Sequence, residues 1–217
     1  MAKRVGVIGS GDVGRVLADG FLKYGYEVMI GSRDPAKLAD WKESGGERAS
    51  LGSMAEAAQF GDLVVLAVKG SAAEHAVELC GPAALAGKTV IDATNPIAEA
   101  PPDHGVLRFF TTLDDSLMER LQRLAPEARF VKCFSCIGND LMVNPDFDGV
   151  KPTMFVCGDS DEAKREATEV LAQFGHEPCD MGTAQAARAI EPLCILWCIP
   201  GFLRNEWTHA FKLLRQS

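Results

Sequence analysis

Three glycines near the start of the chain have a spacing that can bind a phosphate group. Gly9, Gly11 and Gly14 follow an apolar stretch at residues 5–8 in the order GxGxxG and precede a segment of helical periodicity. Glycine permits a tight turn at the first position, close approach to a diphosphate at the second, and close helix–strand packing at the third. Backbone amides at the start of the helix favour negative charge. The motif therefore predicts a dinucleotide site, with a glycine-rich turn that binds no nucleotide as the alternative.

The residues that follow the second predicted strand favour one dinucleotide over another. Ser32 and Arg33 stand where an NAD-binding enzyme carries an Asp or Glu for the adenosine ribose, and Lys37 follows closely. An acid would repel a 2′-phosphate, whereas a hydroxyl, a guanidinium and an ammonium attract one. The sequence therefore favours NADP over NAD, unless Arg33 and Lys37 are only solvated charges at a helix start.

Apolar strand-like stretches alternate with helical segments, which is typical of a parallel sheet covered by helices on both faces. The predicted strands are residues 4–8, 27–31, 63–68, 89–92, 130–134, 153–157 and a weaker one around Pro178. The predicted helices are residues 14–23, 35–43, 53–59, 72–80, 115–124 and 161–174, then helix from Thr183 onward with kinks or breaks at Pro192 and Pro200. We expect a doubly wound, mostly parallel α/β sheet of the Rossmann type, continuous through at least Cys157, in a domain of residues 1–182. A short helical tail, residues 183–217, should pack on the carboxyl edge of that sheet.

The composition excludes several classes of protein. The 217 residues are 47% hydrophobic and 24% charged, an ordinary globular composition. A formal net charge of −8 without a basic cluster disfavours binding to nucleic acid or anionic membranes. The longest nearly uncharged apolar run, residues 192–203, is far shorter than the ~20 residues of a spanning helix, so it predicts a buried helix. Because we find no signal-peptide pattern, the sequence predicts a cytoplasmic protein.

Several stretches of the chain together resemble one family of oxidoreductases. They are VGVIGSGDVGRVLADGFLKYGYEVMIGSRDPAKL at residues 5–38, DLVVLAV at 62–68, VIDATNP at 90–96 and VKCFSCIG at 131–138, with a weaker match in AARAIEPL at 186–193. The sequence resembles the NADP oxidoreductases that depend on the deazaflavin coenzyme F420, a family whose dinucleotide domain is also similar to that of the STEAP ferric reductases. The GSR element at residues 31–33 is the most specific part of this resemblance.

The resemblance implies roles for individual residues. The pyrophosphate turn would be supplied by Ser10, Gly11, Asp12 and Val13, the 2′-phosphate would be held by Ser32, Arg33 and Lys37, and the nicotinamide side would be lined by Val68, Ala93, Asn95 and Pro96. The chain departs from the family at Ser135 and Cys136, where we expect an Asn and a Thr, and at Lys69, where the family often has Pro. These departures concern the second substrate more than NADP.

The second substrate is expected to lie beside the nicotinamide in a mostly apolar pocket. Its predicted borders are Cys136, Ile137, Leu196 and, from the proline-rich loop at residues 98–105, His104. His104 is the candidate titratable group, with a solvated loop histidine as the alternative. Hydride transfer between flat rings needs close stacking and no obligatory general acid, so the sequence predicts no further catalytic residue.

Seven cysteines, an odd number, argue for free thiols in a reducing compartment. Cys133 and Cys136 form a CxxC, and Cys194 and Cys198 share one helical face, a set that could bind zinc or form a redox pair. Cys133 and Cys136 would point to opposite faces of a strand, and the surrounding residues are apolar. We therefore predict no metal site.

Three functions are compatible with these features. The leading one is an NADPH-linked oxidoreductase with a small-molecule acceptor, a deazaflavin or a flavin. The second is an NADPH-dependent reductase of a small carbonyl or imine, although such enzymes carry a long helical substrate domain and only residues 183–217 are left for one here. A homodimer could supply part of that domain. The third is a sensor or interaction module that binds NADP without turnover.

Overall fold

The computed structural model describes residues 3–216 of the chain. Its strands are β1 (Arg4–Ile8), β2 (Glu27–Gly31), β3 (Ala49–Gly52), β4 (Leu63–Leu66), β5 (Thr89–Asp92), β6 (Arg129–Lys132), β7 (Thr153–Val156) and β8 (Glu177–Asp180). Its α-helices are α1 (Asp12–Lys23), α2 (Ala39–Gly45), α3 (Met54–Phe60), α4 (Ala73–Cys80), α5 (Pro82–Leu85), α6 (Leu117–Leu124), α7 (Asp161–Gln173), α8 (Ala187–Ile190) and α9 (Leu193–Arg204).

Six of these strands form one parallel sheet in the order β3-β2-β1-β4-β5-β6. The chain runs outward from β1 to β3, returns to the centre, and continues from β4 to β6 on the other side. In such a sheet, ligands bind beyond the carboxyl ends of the strands where the strand order reverses. That point lies between β1 and β4. The predicted doubly wound Rossmann fold is confirmed.

Two features of the strands differ from the prediction. The strand β3 was not predicted, because its sequence ASLG contains no β-branched or aromatic residue that would signal a strand. The expectation of one continuous sheet through Cys157 is wrong, since β7 and β8 form a separate parallel pair. Among residues 3–216, the antiparallel bridge between Lys132 and Cys157 is the one β-bridge that links the two sheets. The chain turns away directly after β6, where Phe134 adopts a φ of 59°.

Both faces of the six-stranded sheet are buried beneath helices. Phe21 of α1 and Phe174 after α7 belong to one apolar cluster, and Leu66 and Phe130 belong to the other, together with residues of α3, α4 and α6. The helices α3 and α6 each begin with a capping box. In α6 the Ser116 hydroxyl accepts from the backbone N–H of the third residue of the helix, whose carboxylate accepts from the serine N–H.

The tail is helical only as far as Arg204. Asn205 takes a left-handed conformation, with a φ of 56°, and ends α9. Residues 206–216 have no regular structure and return to β7, where the Thr153 N–H donates to the Phe211 carbonyl at 2.9 Å. The prediction of helix through to the C-terminus is therefore wrong beyond this point.

The helix α9 packs against the rest of the protein with one face. Trp197 and Cys198 are buried, whereas Leu196 and Leu203 are each 55% exposed, so the predicted buried helix is buried on one side only. By length and composition, the segment Ala184–Arg204 could cross a membrane, with a mean hydropathy of 1.4, and 33% of its most apolar window is buried in the protein. The core helix of a soluble protein passes the same test, so this is weak evidence.

Candidate active site

A cleft follows the carboxyl ends of the central strands, at the reversal point between β1 and β4. One part, which we name the β2 half, has a volume of about 480 Å³ and lies on the β2 side. The other part, the β5 half, has a volume of about 630 Å³ and lies on the β5 side. Gly11, Ala67, Val68 and Lys69 line both parts. The two halves therefore form one continuous cleft.

The glycine loop between β1 and α1 lies where the two halves meet. Gly9 has a φ of 120°, and a Cβ there would lie 2.2 Å from the Ala67 carbonyl oxygen, so this position requires glycine. A Cβ at Gly14 would lie 2.2 Å from the Gly9 carbonyl oxygen, which shows how closely α1 packs on the loop. A Cβ at Gly11 would meet nothing within 4 Å. This open space at the start of a long helix suits a diphosphate.

Ser32, Arg33 and Lys37 lie together in the β2 half. The Ser32 hydroxyl lies 3.1 Å from the Ser10 hydroxyl and accepts from the Asp34 N–H at 3.1 Å, so its position is well defined. The Lys37 ammonium lies 3.2 Å from the Asp34 carboxylate. Within the described residues 3–216, the exposed Arg33 forms no ion pair, so its guanidinium remains available to a phosphate.

The wall of the β5 half comes mainly from the loop after β5. Ala93, Asn95 and residues 97–100 line it, together with Asn139 from the connection after β6. The Asn95 side-chain amide donates to the Ser135 carbonyl at 2.8 Å, while its Oδ1 is buried and has no hydrogen-bond partner among residues 3–216. A buried acceptor without a partner costs free energy, so a bound donor at Asn95 would be stabilised.

Most residues predicted to bind the cofactor line this cleft. The β2 half is lined by Gly9, Ser10, Ser32, Arg33 and Lys37, the β5 half by Asp12, Val13, Ala93 and Asn95, and both halves by Gly11 and Val68. Gly14 and Pro96 line neither half. Gly14 lies beneath the glycine loop, and Pro96 is buried beside Gly70.

The predicted second-substrate residues are not brought together. Cys136 and Ile137 are buried in the core, and Leu196 faces solvent on α9. The His104 side chain is 96% exposed. The loop after β5 folds back on itself through the bridge between Ile97 and Phe109, so the start of the loop lines the cleft and His104 lies at its outer turn.

Sequence reasoning missed two basic residues that line the cleft, Arg15 and His75, and noted a third, Lys69, only as a departure from the family pattern. Arg15 and His75 line the β2 half, and Lys69 lines both halves. Arg15 lies in the first turn of α1 and His75 in the first turn of α4. In this fold the first turn of a helix that follows a central strand lies beside the carboxyl edge. The position of Arg15 and His75 shortly after a predicted strand could therefore have indicated that they lie at the cleft.

Three charged side chains form a buried network behind the β5 half. The Lys132 ammonium lies 2.6 Å from an Asp92 carboxylate oxygen and 2.8 Å from a Glu191 carboxylate oxygen. Burial alone would lower the pKa of Lys132, but the two carboxylates outweigh that effect and raise it, so the ammonium stays charged at neutral pH. No motif or spacing in the sequence groups these three residues.

The seven cysteines are free and buried. Burial raises the pKa of Cys136 to about 12, so its thiol stays protonated at neutral pH. Cys133 and Cys136 lie in the turn after β6 rather than in the predicted strand. Within residues 3–216, no group of three or more His, Cys, Asp or Glu side chains is placed to hold a metal ion.

The chain is similar in sequence to known NADP oxidoreductases and metalloreductases. The model of the family "NADP oxidoreductase coenzyme F420-dependent" matches residues 4–96. The F420-dependent NADP reductase of Methanothermobacter marburgensis is 30% identical over 219 residues, which cover 94% of this chain and 96% of that protein. Metalloreductase STEAP3 of Rattus norvegicus is 33% identical over 207 residues, which cover 93% of this chain and 39% of that protein. The chain thus spans about two fifths of the length of the STEAP relatives it matches.

Solved structures agree with the sequence comparisons. A protein of Arthrobacter sp. FB24, assigned as an F420-dependent NADP-reductase, superposes with a TM-score of 0.91 at 32% identity, covering 99% of this chain and 100% of that one. A reductive aminase from Aspergillus terreus, in complex with NADPH and ethyl levulinate, has a TM-score of 0.68 at 21% identity and covers 94% of this chain and 63% of that one. At this lower identity the likeness shows a shared fold alone.

Proposed function

Because the chain belongs to the family of coenzyme F420-dependent NADP oxidoreductases, we propose that it transfers a hydride between NADP(H) and a planar acceptor, a deazaflavin of the F420 type or a flavin. The observation that carries the proposal is the shape and chemistry of the cleft. A basic, hydroxyl-bearing β2 half is continuous with a larger β5 half whose lining residues are mostly small and uncharged. The first suits a phosphorylated adenosine and the second suits flat rings.

The residues of the β2 half fit NADP. Arg33 and Ser32 offer a guanidinium and a positioned hydroxyl to a 2′-phosphate, and the open space at Gly11 admits a diphosphate at the start of α1. The buried, unpaired Oδ1 of Asn95 would accept an N–H from a nicotinamide carboxamide. NADPH therefore has a polar partner at each end of the cleft.

The residues of the β5 half would orient the reacting rings. NADPH supplies the hydride, and the ring of the acceptor receives it. Val68, Ala93 and Ile97 present apolar surface to this space, which favours stacked rings and excludes water. The ionisable residues that line this half are Asp12, Lys69 and Glu99, and a hydride transfer between rings would require none of them as a general acid.

Lys69 favours a second candidate, the reduction of a small carbonyl or imine. Its side chain is exposed where the two halves meet and could donate a proton to a developing alkoxide or amine. The two candidates differ in what Lys69 contributes. Ring-to-ring transfer should tolerate its loss, whereas carbonyl or imine reduction should not.

A screen of acceptors with NADPH tests the proposal. We expect fast oxidation of NADPH with an F420-type deazaflavin or with FMN, and negligible oxidation with a 2-ketoacid or a cyclic imine. The variant Lys69→Met should retain ring-to-ring transfer within about threefold, because no proton donor is required there. Efficient turnover of the ketoacid or imine, lost in Lys69→Met, would replace the deazaflavin proposal with the second candidate.

We also propose that the protein works in the cytoplasm and as a homodimer. Seven buried free thiols suit a reducing compartment. Leu196 and Leu203 leave apolar surface on the outer face of α9, which a second copy would cover. Light scattering after size-exclusion chromatography measures the mass in solution, and a monomer at micromolar concentration would contradict the dimer.

A further inference from the structure

The buried network of Lys132, Asp92 and Glu191 lies beside the wall of the β5 half. Lys132 and Asp92 are 0% exposed, and the Glu191 side chain is 2% exposed. Burying an ion costs several kcal/mol, and well-packed apolar residues often serve stability as well or better. Stability alone therefore does not explain why these three charges are buried, and the groups that they hold in place offer another explanation.

The network holds every backbone and side-chain polar group of Thr94. The Asp92 Oδ1 accepts from the Thr94 N–H at 2.9 Å and from the Thr94 hydroxyl at 2.6 Å. The Lys132 ammonium donates to the Thr94 carbonyl at 2.9 Å. Thr94 lies between Ala93 and Asn95, and both of these residues line the β5 half. The network therefore fixes the peptide segment that forms this wall.

The third member of the network belongs to the tail. Glu191 follows α8, and its two carboxylate oxygens accept from the Leu117 and Met118 N–H groups, each at 3.0 Å. These N–H groups belong to the first turn of α6, where negative charge is favoured. One carboxylate thus joins the tail, α6 and the Lys132 ammonium. Without it, Lys132 would keep a single anionic partner.

We propose that Lys132 and the tail residue Glu191 are positioning residues for hydride transfer, acting through Thr94 on the wall that the nicotinamide lies against. This inference rests on the proposed function, because it assumes that NADP places its nicotinamide in the β5 half. Glu191 holds the ammonium on the Thr94 carbonyl, and the ammonium keeps Ala93 and Asn95 in register with the cleft. The adenosine end is bound by other residues and is unaffected.

The variants Glu191→Gln and Lys132→Met test the proposal, and Arg188→Met is the matched control. Arg188 lies on α8 and pairs with Glu119 of α6 at 2.6 Å, so its loss weakens the same tail-to-α6 contact without touching Thr94. Hydrogen exchange in the cofactor-free protein gives a readout that does not depend on activity. We expect faster exchange in a peptide that contains Thr94 for Glu191→Gln and Lys132→Met, and unchanged exchange for Arg188→Met.

Binding and turnover supply the second readout. For Glu191→Gln, hydride transfer at saturating NADPH should fall roughly 10- to 100-fold, the range expected when reacting groups shift by a fraction of an ångström to one ångström. Affinity for 2′,5′-ADP, which probes the β2 half alone, should stay within about twofold. Arg188→Met should lower the melting temperature but retain the rate.

Several outcomes would overturn the proposal. One is an unchanged rate and unchanged Thr94 exchange in both network variants. Another is a loss of 2′,5′-ADP affinity as large as the loss of rate, which indicates general loosening of the fold. If the charge variants do not fold, Thr94→Val removes only the hydroxyl, and a normal rate with normal exchange in that variant also counts against the proposal. Failure of the proposed function is separate, since the unaltered protein would then oxidise NADPH with neither deazaflavin nor flavin.

Discussion

Replacement of Arg33 by alanine should remove most of the preference for NADPH over NADH. A charge-assisted hydrogen bond contributes about 1.5–3 kcal/mol, which corresponds to roughly 10- to 150-fold in affinity. Because Arg33 is exposed, solvent and salt screen the interaction, and the lower part of this range applies at physiological ionic strength. Ser32 and Lys37 keep part of the phosphate affinity, although Asp34 already occupies the Lys37 ammonium. NADH has no 2′-phosphate, so its affinity should change by less than about twofold.

Calorimetric titration with NADPH and NADH measures both affinities for the unaltered protein and for Arg33→Ala. Arg165→Ala is the charge-matched control, because Arg165 is an exposed arginine on α7, outside the residues that line the cleft. The NADPH loss should shrink as the salt concentration rises, as expected for an exposed ion pair. Equal affinities of the unaltered protein for the two cofactors, or an equal loss of both in Arg33→Ala, would refute the assignment of Arg33 to the 2′-phosphate.

Three further results are expected. Gly9→Ala places a Cβ 2.2 Å from the Ala67 carbonyl oxygen at a φ of 120°, so thermal unfolding should show a melting temperature lower by roughly 2–12 °C, from about 1–3 kcal/mol of strain, together with loss of NADPH binding. His104→Ala should leave turnover unchanged, because that side chain is 96% exposed and lies outside the cleft, and a large loss would restore it as a candidate acid. Arg188 and the capping contacts lower the pKa of Glu119 from 4.5 to about 2. The Glu119 carboxylate therefore contributes fully to the free energy of unfolding above about pH 4.5, and this contribution is lost as the pH falls towards 2. Denaturant unfolding across that range should show a flatter pH dependence for Glu119→Gln than for the unaltered protein.

The lining of the β2 half, which we propose for the phosphate groups of NADP, could be predicted from the sequence largely residue by residue. Its signals are local, because the glycine spacing, the preceding apolar strand and the Ser32-Arg33 pair lie within one βαβ unit. The structure places Gly9 and Gly11 in the cleft and Gly14 beneath the loop, which matches the separate steric requirement at each position.

The residues around the proposed acceptor could not be predicted in the same way. Whether the start or the tip of the loop after β5 faces the cleft depends on the pairing of Ile97 with Phe109, which has no local sequence signal. His104 was placed by residue type alone, and the fold puts it outside. The charged network joins residues from three distant parts of the chain, and Lys132 and Asp92 each end an apolar strand where an exposed charge is the ordinary expectation.

The bridge between Lys132 and Cys157 covers part of the outer edge of the six-stranded sheet at β6. A sheet edge with free N–H groups is a template for a strand from another molecule. At β6 the outward N–H groups are already occupied, since Phe130 donates to the Gln122 side chain at 3.4 Å and Lys132 donates to the Cys157 carbonyl at 3.0 Å. Gly158 then lies so close to the Phe130 carbonyl that a Cβ would come within 2.5 Å of its oxygen. An added strand therefore has no access to this edge, and two copies would have to associate through another surface.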